Sequence, residues 1–180
     1  GAGKTTLMKI ISGLSFPSSG NLSILGIDGI KHRSKIKNNI GFVMQDNNLE
    51  REFTVREALL SYAKLYRVND AKLIVDKTIE QFDMQKWQNR RIDKLSGGMV
   101  RKTMIARALL SKPKLLLMDE PSVGLDPDVR MDIWQEIIKL RHQGMSIILT
   151  THYMEEAEML CDRIAILKQG NLLTINTIDK

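Results

Sequence analysis

The sequence predicts an α/β protein with a mainly parallel sheet and a helical subdomain. Three observations carry that prediction. Short apolar runs, "LLLM" at residues 115–118 and "IIL" at 147–149, have the length and composition of buried parallel strands. Strand-like and helix-like segments alternate toward both ends of the chain. Between about residues 46 and 95, helical patterns follow one another with no strand, and with the next helix they make a helical subdomain of about 46–110. All 180 residues fit one domain.

Each element has a local reason. Residues 6–14 repeat apolar positions at helical spacing, and Gly13 is a stop. "FPSSG" at 16–20 is a turn. "NLSILG" at 21–26 alternates like a strand, and "NIGFVMQ" at 39–45 is a second strand ending on a polar residue. After the loop "DNNLEREF", Thr54 with Glu57 three residues on forms a capping box that opens a helix. A further helix covers 71–82, and the loop "QKWQNRRIDK" leads to a glycine pair. Residues 99–110 are helical until Pro113 breaks the pattern. "KLLLMDE" is a short buried strand with acids at its C-terminal end. The next helix has Asp126 as cap, Pro127 in its first turn and Gly144 as stop. "SIILT" is a strand, "YMEEAEMLC" a helix, and "RIAIL" and "LLTI" flank "KQGN" as a hairpin.

Composition narrows the function. Net charge is +6, which suits nucleic acid, an anionic membrane surface or nucleotide phosphates. Aromatic residues make up only 5% and none interleave with the basic residues as a base-stacking surface requires, so no nucleic-acid partner is expected. The densest basic stretch, "KHRSKIK" at 31–37, is a solvated face. No apolar run is long enough to cross a bilayer, so a membrane role comes through a partner. The chain lacks a charged-then-apolar signal segment and begins inside a motif, and is expected to be a fragment truncated at its N-terminus. A single cysteine, Cys161, excludes an internal disulfide, fits a reducing compartment and reads as a small buried apolar residue.

Four motifs carry chemistry. The chain opens with "GAGKTT", Gly1, Ala2, Gly3, Lys4, Thr5 and Thr6, followed by a helix. Glycines let the backbone curl so that its N–H groups surround phosphate oxygens. Lys4 adds a charge near the outer phosphates, and the Thr5 hydroxyl is a magnesium ligand. In "LLLMDEP" an apolar strand delivers Asp119 and Glu120 to its C-terminal edge, where α/β sheets bind ligands. Asp119 is placed to hold magnesium through water, and Glu120 to polarise an attacking water. Gln45 and His152 end two other strands in the same way. The Gln45 amide has the reach for magnesium and the attacking water, and the His152 imidazole for a γ-phosphate. Finally, "KLSGGM" at 94–99 sets a serine and two glycines before a helix, a second means of presenting N–H groups to phosphate.

In this order the motifs resemble those of the ATP-binding cassette (ABC) family of ATPases, over essentially the whole chain. "LSGGM" resembles the family signature, "SVGLDP" the loop that carries Asp126, and "TTHYMEEAE" the switch-histidine segment. The resemblance implies a P-loop NTPase fold of the ABC ATPase type, with ATP and Mg2+ as cofactors. It implies a head-to-tail pair in which Ser96, Gly97, Gly98 and Asp126 act on ATP bound to the second ATPase subunit. It further implies a transmembrane permease subunit as partner, touched by the helical insert and the loop after Gln45, and a cytoplasmic position on the inner face of the cell membrane. Met99 replaces the glutamine that usually ends the signature and, with the switch segment, resembles exporter-type members. The alternative is a soluble member such as a ribosome-associated translation factor, which usually holds two cassettes where one is visible here. Chromosome-structure ATPases would need a long coiled coil between the phosphate loop and the signature, and no sustained heptads occur there. A non-enzymatic nucleotide sensor would be indifferent to Glu120→Gln.

Overall fold

The computed structural model describes residues 2–178. Helix α1 spans Lys4–Ile11 and is followed by a tight antiparallel pair, β1 (Ser23–Ile24) and β2 (Ile27–Asp28). The alternation of "NLSILG" therefore resolves into only two strand residues, because Leu25 and Gly26 turn the chain back with φ of 53° and 75°. The basic stretch forms a short helix, α2 (Arg33–Lys37). Strand β3 (Ile40–Val43) leads into helices α3 (Val55–Leu65) and α4 (Ala71–Gln81). Helix α5 (Gly97–Leu109) starts two residues earlier than its apolar periodicity suggests, since Ser96 caps it and both glycines are helical. Strand β4 (Leu115–Asp119), helix α6 (Pro127–His142), strand β5 (Ser146–Thr150) and helix α7 (Met154–Leu160) complete the alternation. Strands β6 (Arg163–Lys168) and β7 (Asn171–Thr177) form the antiparallel hairpin.

Strands β3, β4 and β5 make a parallel sheet in that order, with Val43 opposite Met118 and Asp119 opposite Thr150. The central strand explains the unbroken apolar run. Leu116 and Met118 face the core built with α3, α5 and α6, whereas Leu115 and Leu117 face Met8 of α1 and Ile36 of α2. Burial on both faces leaves no polar position in β4 until Asp119. Strand β5 departs from the expectation of a buried strand. It lies at the sheet edge, where Ile147 and Leu149 pack on the helical core and Ile148 is exposed. The antiparallel pairs β1–β2 and β6–β7 stand beside this parallel centre, so the sheet content is mixed.

Two contacts tie the C-terminal helices together. Trp134 Nε1 donates to Glu156 Oε1 at 2.8 Å, and Arg141 Nη1 donates to the Leu160 carbonyl at 3.1 Å. The capping box at α3 forms as expected, with Glu57 N–H donating to Thr54 Oγ1 at 3.2 Å and Glu57 Oε2 accepting from Thr54 N–H at 2.8 Å. At α6, Asp126 occupies the cap position but its side chain accepts no capping bond.

Candidate functional site

Helix α1 begins at Gly3, whose φ of 90° lies in the left-handed region that glycine enters without strain. Ala2 accepts a hydrogen bond from Gly170 N–H at 3.2 Å, so the β6–β7 turn braces the loop before the helix. Thr5 and Thr6 are exposed on the first turn, which holds no acidic residue to compete for its N–H groups. Gly1 lies outside the described residues.

The acid pair sits where the register of the sheet puts it. Asp119 is the last residue of β4 and is buried. Glu120 follows with φ of 48°, a left-handed conformation that costs a non-glycine residue about 1–3 kcal/mol. Its N–H is held by the Thr150 carbonyl at 3.1 Å and by Thr150 Oγ1 at 3.2 Å. That turn places the Glu120 carboxylate between two nitrogen-bearing side chains from other segments. Lys4 Nζ lies 3.9 Å from Oε1, and His152 Nδ1 lies 3.3 Å from Oε2. Gln45 stands two residues beyond the Val43–Met118 pair, level with Glu120 along the sheet, with its side chain exposed. The edge of one parallel sheet thus gathers Lys4, Asp119, Glu120 and His152, with Gln45 beside them.

A second group stands apart. Ser96 Oγ accepts from Met99 N–H at 3.4 Å, which caps α5. A Cβ on Gly98 would lie 2.3 Å from Val129 Cγ1, so α5 and α6 approach closely at this point. This brings Ser96, Gly97 and Gly98 beside the segment that carries Asp126. A cleft here is lined by Ser96, Gly98, Met99, Lys102, Asp132 and Glu136. Among the described residues, no hydrogen bond or ion pair joins this group to Lys4, Glu120 or His152.

Several residues around the site escaped the sequence reading. Arg101 is buried and donates from Nη1 to the Met44 carbonyl at 2.7 Å and from Nη2 to the Gln45 carbonyl at 3.0 Å. Burial pulls its guanidinium below the usual arginine range, opposed by the charges of Glu156, Asp119 and Asp46. Arg107 donates to the Asn48 carbonyl at 3.1 Å and to the Asn48 side chain. The two arginines hold the chain after β3 against α5. The available signal was that Arg101 shares the stripe of Met104, Ile105 and Ala108, an odd place for a charge. Tyr153 is a further link, with the His152 ring 4.1 Å from its own and the Arg130 guanidinium 4.3 Å away. Through it the start of α6 touches the histidine segment.

A parallel sheet packed between helices, with a glycine-capped helix start beside an acid pair at the strand edge, is the build of a P-loop NTPase. A family model described as "ABC transporter" matches residues 1–123, and the chain belongs to that family. A Nod factor export ATP-binding protein I from Rhizobium etli is 44% identical over 172 residues, covering 94% of this chain and 54% of the relative. The protein of the same name from Rhizobium sp. strain N33 is 42% identical over 96% of this chain and 58% of its own length. The chain therefore spans little more than half the length of these relatives. A solved dimeric post-hydrolysis state of an ATP-binding cassette bound to ADP and Pi superposes with a TM-score of 0.85 at 27% identity, over 99% of this chain and 82% of that one. The ATP-binding subunit of an ABC transporter superposes at 0.83 and 29% identity, over 99% and 75%.

Proposed function

We propose that this chain is the nucleotide-binding, ATP-hydrolysing part of an ABC transporter subunit of the exporting kind. It works as a head-to-tail dimer beneath a separate transmembrane permease, peripheral on the cytoplasmic face of the membrane. The observation that carries the reading is the meeting of Lys4, Glu120 and His152 at the sheet edge beside Asp119, from segments far apart in sequence. The names of the relatives above, all exporters' ATP-binding proteins, support the direction of transport. No helix among the described residues is long and apolar enough to cross a membrane, which accords with a separate permease.

Each residue has a task in this scheme. Backbone N–H groups from Gly1 to Thr6 and the Lys4 ammonium take the phosphates of ATP. Lys4 exchanges its 3.9 Å contact with Glu120 for an outer phosphate oxygen. Glu120 is then free to accept a proton from the attacking water. His152, 3.3 Å from the same carboxylate, orients it and reaches toward the γ-phosphate. The exposed Thr5 hydroxyl, the Gln45 amide and the buried Asp119 carboxylate are hard oxygen donors that fit Mg2+. Among the described residues no cluster of three His, Cys, Asp or Glu could hold an ion alone, which suits a metal bound largely through phosphates and waters. Magnesium held by these residues would supply positive charge that offsets the charge on the phosphates. Ser96, Gly97, Gly98 and Asp126 act on the nucleotide held by the second subunit.

Glu120→Gln tests the scheme, because it keeps the shape and removes the base. Steady-state ATP turnover is expected to fall by about 10²–10⁴-fold. ATP binding should persist, and a stable ATP-bound dimer should appear by size-exclusion chromatography. Parental turnover in the variant would overturn the assignment.

A further inference from the structure

The Thr150 hydroxyl touches both members of the acid pair. Its Oγ1 donates to Asp119 Oδ1 and accepts from Glu120 N–H at 3.2 Å. Parallel pairing of Asp119 with Thr150 puts the hydroxyl there by register, and both residues are buried, so water competes little for the bond between them. From this geometry we infer that Thr150 is a positioning residue which sets the metal-holding oxygen of Asp119 and the strained turn of Glu120 together. The inference rests on the roles given above to Asp119 and Glu120.

A carboxylate has two oxygens and rotates about one bond. A hydroxyl that holds Oδ1 restricts that rotation and leaves Oδ2 as the oxygen available to a metal. Such outer partners of metal-holding groups commonly change metal affinity by about 10–100-fold when removed. The same oxygen is the second acceptor of Glu120 N–H, beside the Thr150 carbonyl at 3.1 Å, and so adds to the hold on a turn whose φ is 48°. One atom therefore couples metal position to base position. A valine at this place would fill the same space and keep the strand, yet supply neither bond.

The test uses the intact transporter with Thr150→Val, Thr150→Ala and Thr150→Ser. Two readouts are needed: the Mg2+ concentration for half-maximal turnover, and the affinity of a fluorescent ATP analogue with Mg2+ and with a chelator. Either hydroxyl-free variant is expected to need about tenfold more Mg2+ and to bind the Mg2+-loaded analogue correspondingly more weakly. Metal-free binding should stay within about twofold, and Thr150→Ser should behave as the parent. Parental metal dependence in the hydroxyl-free variants, or equal weakening with and without Mg2+, would overturn the inference. Asp119→Asn separates the two layers. If it too leaves metal dependence intact, the metal role of Asp119 fails and Thr150 falls with it; if it abolishes that dependence while Thr150→Val does not, only the positioning role fails.

Discussion

Gly97 and Gly98 are neighbours in one helical turn, yet a methyl group on each meets a different obstacle. On Gly98 it would lie 2.3 Å from Val129 Cγ1, a branched side chain with little rotamer freedom. On Gly97 it would lie 3.2 Å from Leu125 Cδ2, the far end of a side chain that can swing. Neither glycine has positive φ, so alanine also gains about 0.4–1 kcal/mol at both places by restricting the unfolded chain. At Gly97 that gain outweighs a small shift, and Gly97→Ala should be neutral or stabilising by denaturant unfolding. At Gly98 overpacking costs about 1–3 kcal/mol, and Gly98→Ala should be destabilising. Adding Val129→Ala should relieve the clash, so that the double variant is more stable than the two separate losses sum to. A freely tolerated Gly98→Ala would mean the helices do not meet this closely.

A helix start is legible where its cap is local chemistry, and α3 is the clearest case. Thr54 and Glu57 announce its first turn in four residues, and the structure forms both reciprocal bonds. The bond from Thr54 N–H, and then that from its hydroxyl, holds the Glu57 carboxyl below its ordinary value of 4.5. A depressed carboxyl contributes stability that is present above the unfolded value and is lost as pH falls through the folded one. Glu57→Gln should therefore flatten the acid limb of the stability curve below about pH 4.5 and change little near neutrality. An unaltered acid limb would show that the carboxylate adds nothing to the cap. Thr54→Ala, by contrast, should cost about 1 kcal/mol at neutral pH. What sequence could not reveal is chemistry set by packing across elements. The run at 115–118 disclosed a buried strand, but not that Thr150 would stand opposite Asp119, nor that "IIL" would border solvent. Burial of Arg101 against two carbonyls of the chain after β3 depends on where α5 lands. Glu120's left-handed turn was equally invisible, because nothing in "MDEP" requires it. Lys4 opens α1, Asp119 closes β4, and Glu120 and His152 follow β4 and β5 within two residues, so the sequence could place all four near the C-terminal edge of the sheet.

At the scale of the whole molecule, the chain carries two glycine-bearing helix starts, both proposed above to read phosphate, that do not meet. One surrounds Gly3 and Lys4 beside the acid pair; the other begins at Ser96 and packs against α6. Helices packed through buried cores are not expected to swing the second start onto the first within one copy. If both read the same ATP, they belong to different copies, and this makes a prediction about mixtures. Take one variant with Lys4→Ala and another with Ser96→Arg, each unable to form a complete site with itself. In a head-to-tail pair made from one of each, one interface combines both defects, while the other combines an intact lysine loop with an intact serine. Mixing the variants should therefore restore ATP-dependent association in part. The double variant Lys4→Ala/Ser96→Arg mixed with unaltered protein should form no intact interface within the mixed pairs, because each of its two sites then holds one defect. Fluorescence energy transfer between differently labelled copies can read both mixtures under the same ATP concentration. Restoration in the first mixture and its absence in the mixed pairs of the second is the signature of a site shared between copies. A site built within one copy predicts the opposite for the first mixture: neither variant could repair the other at any ratio.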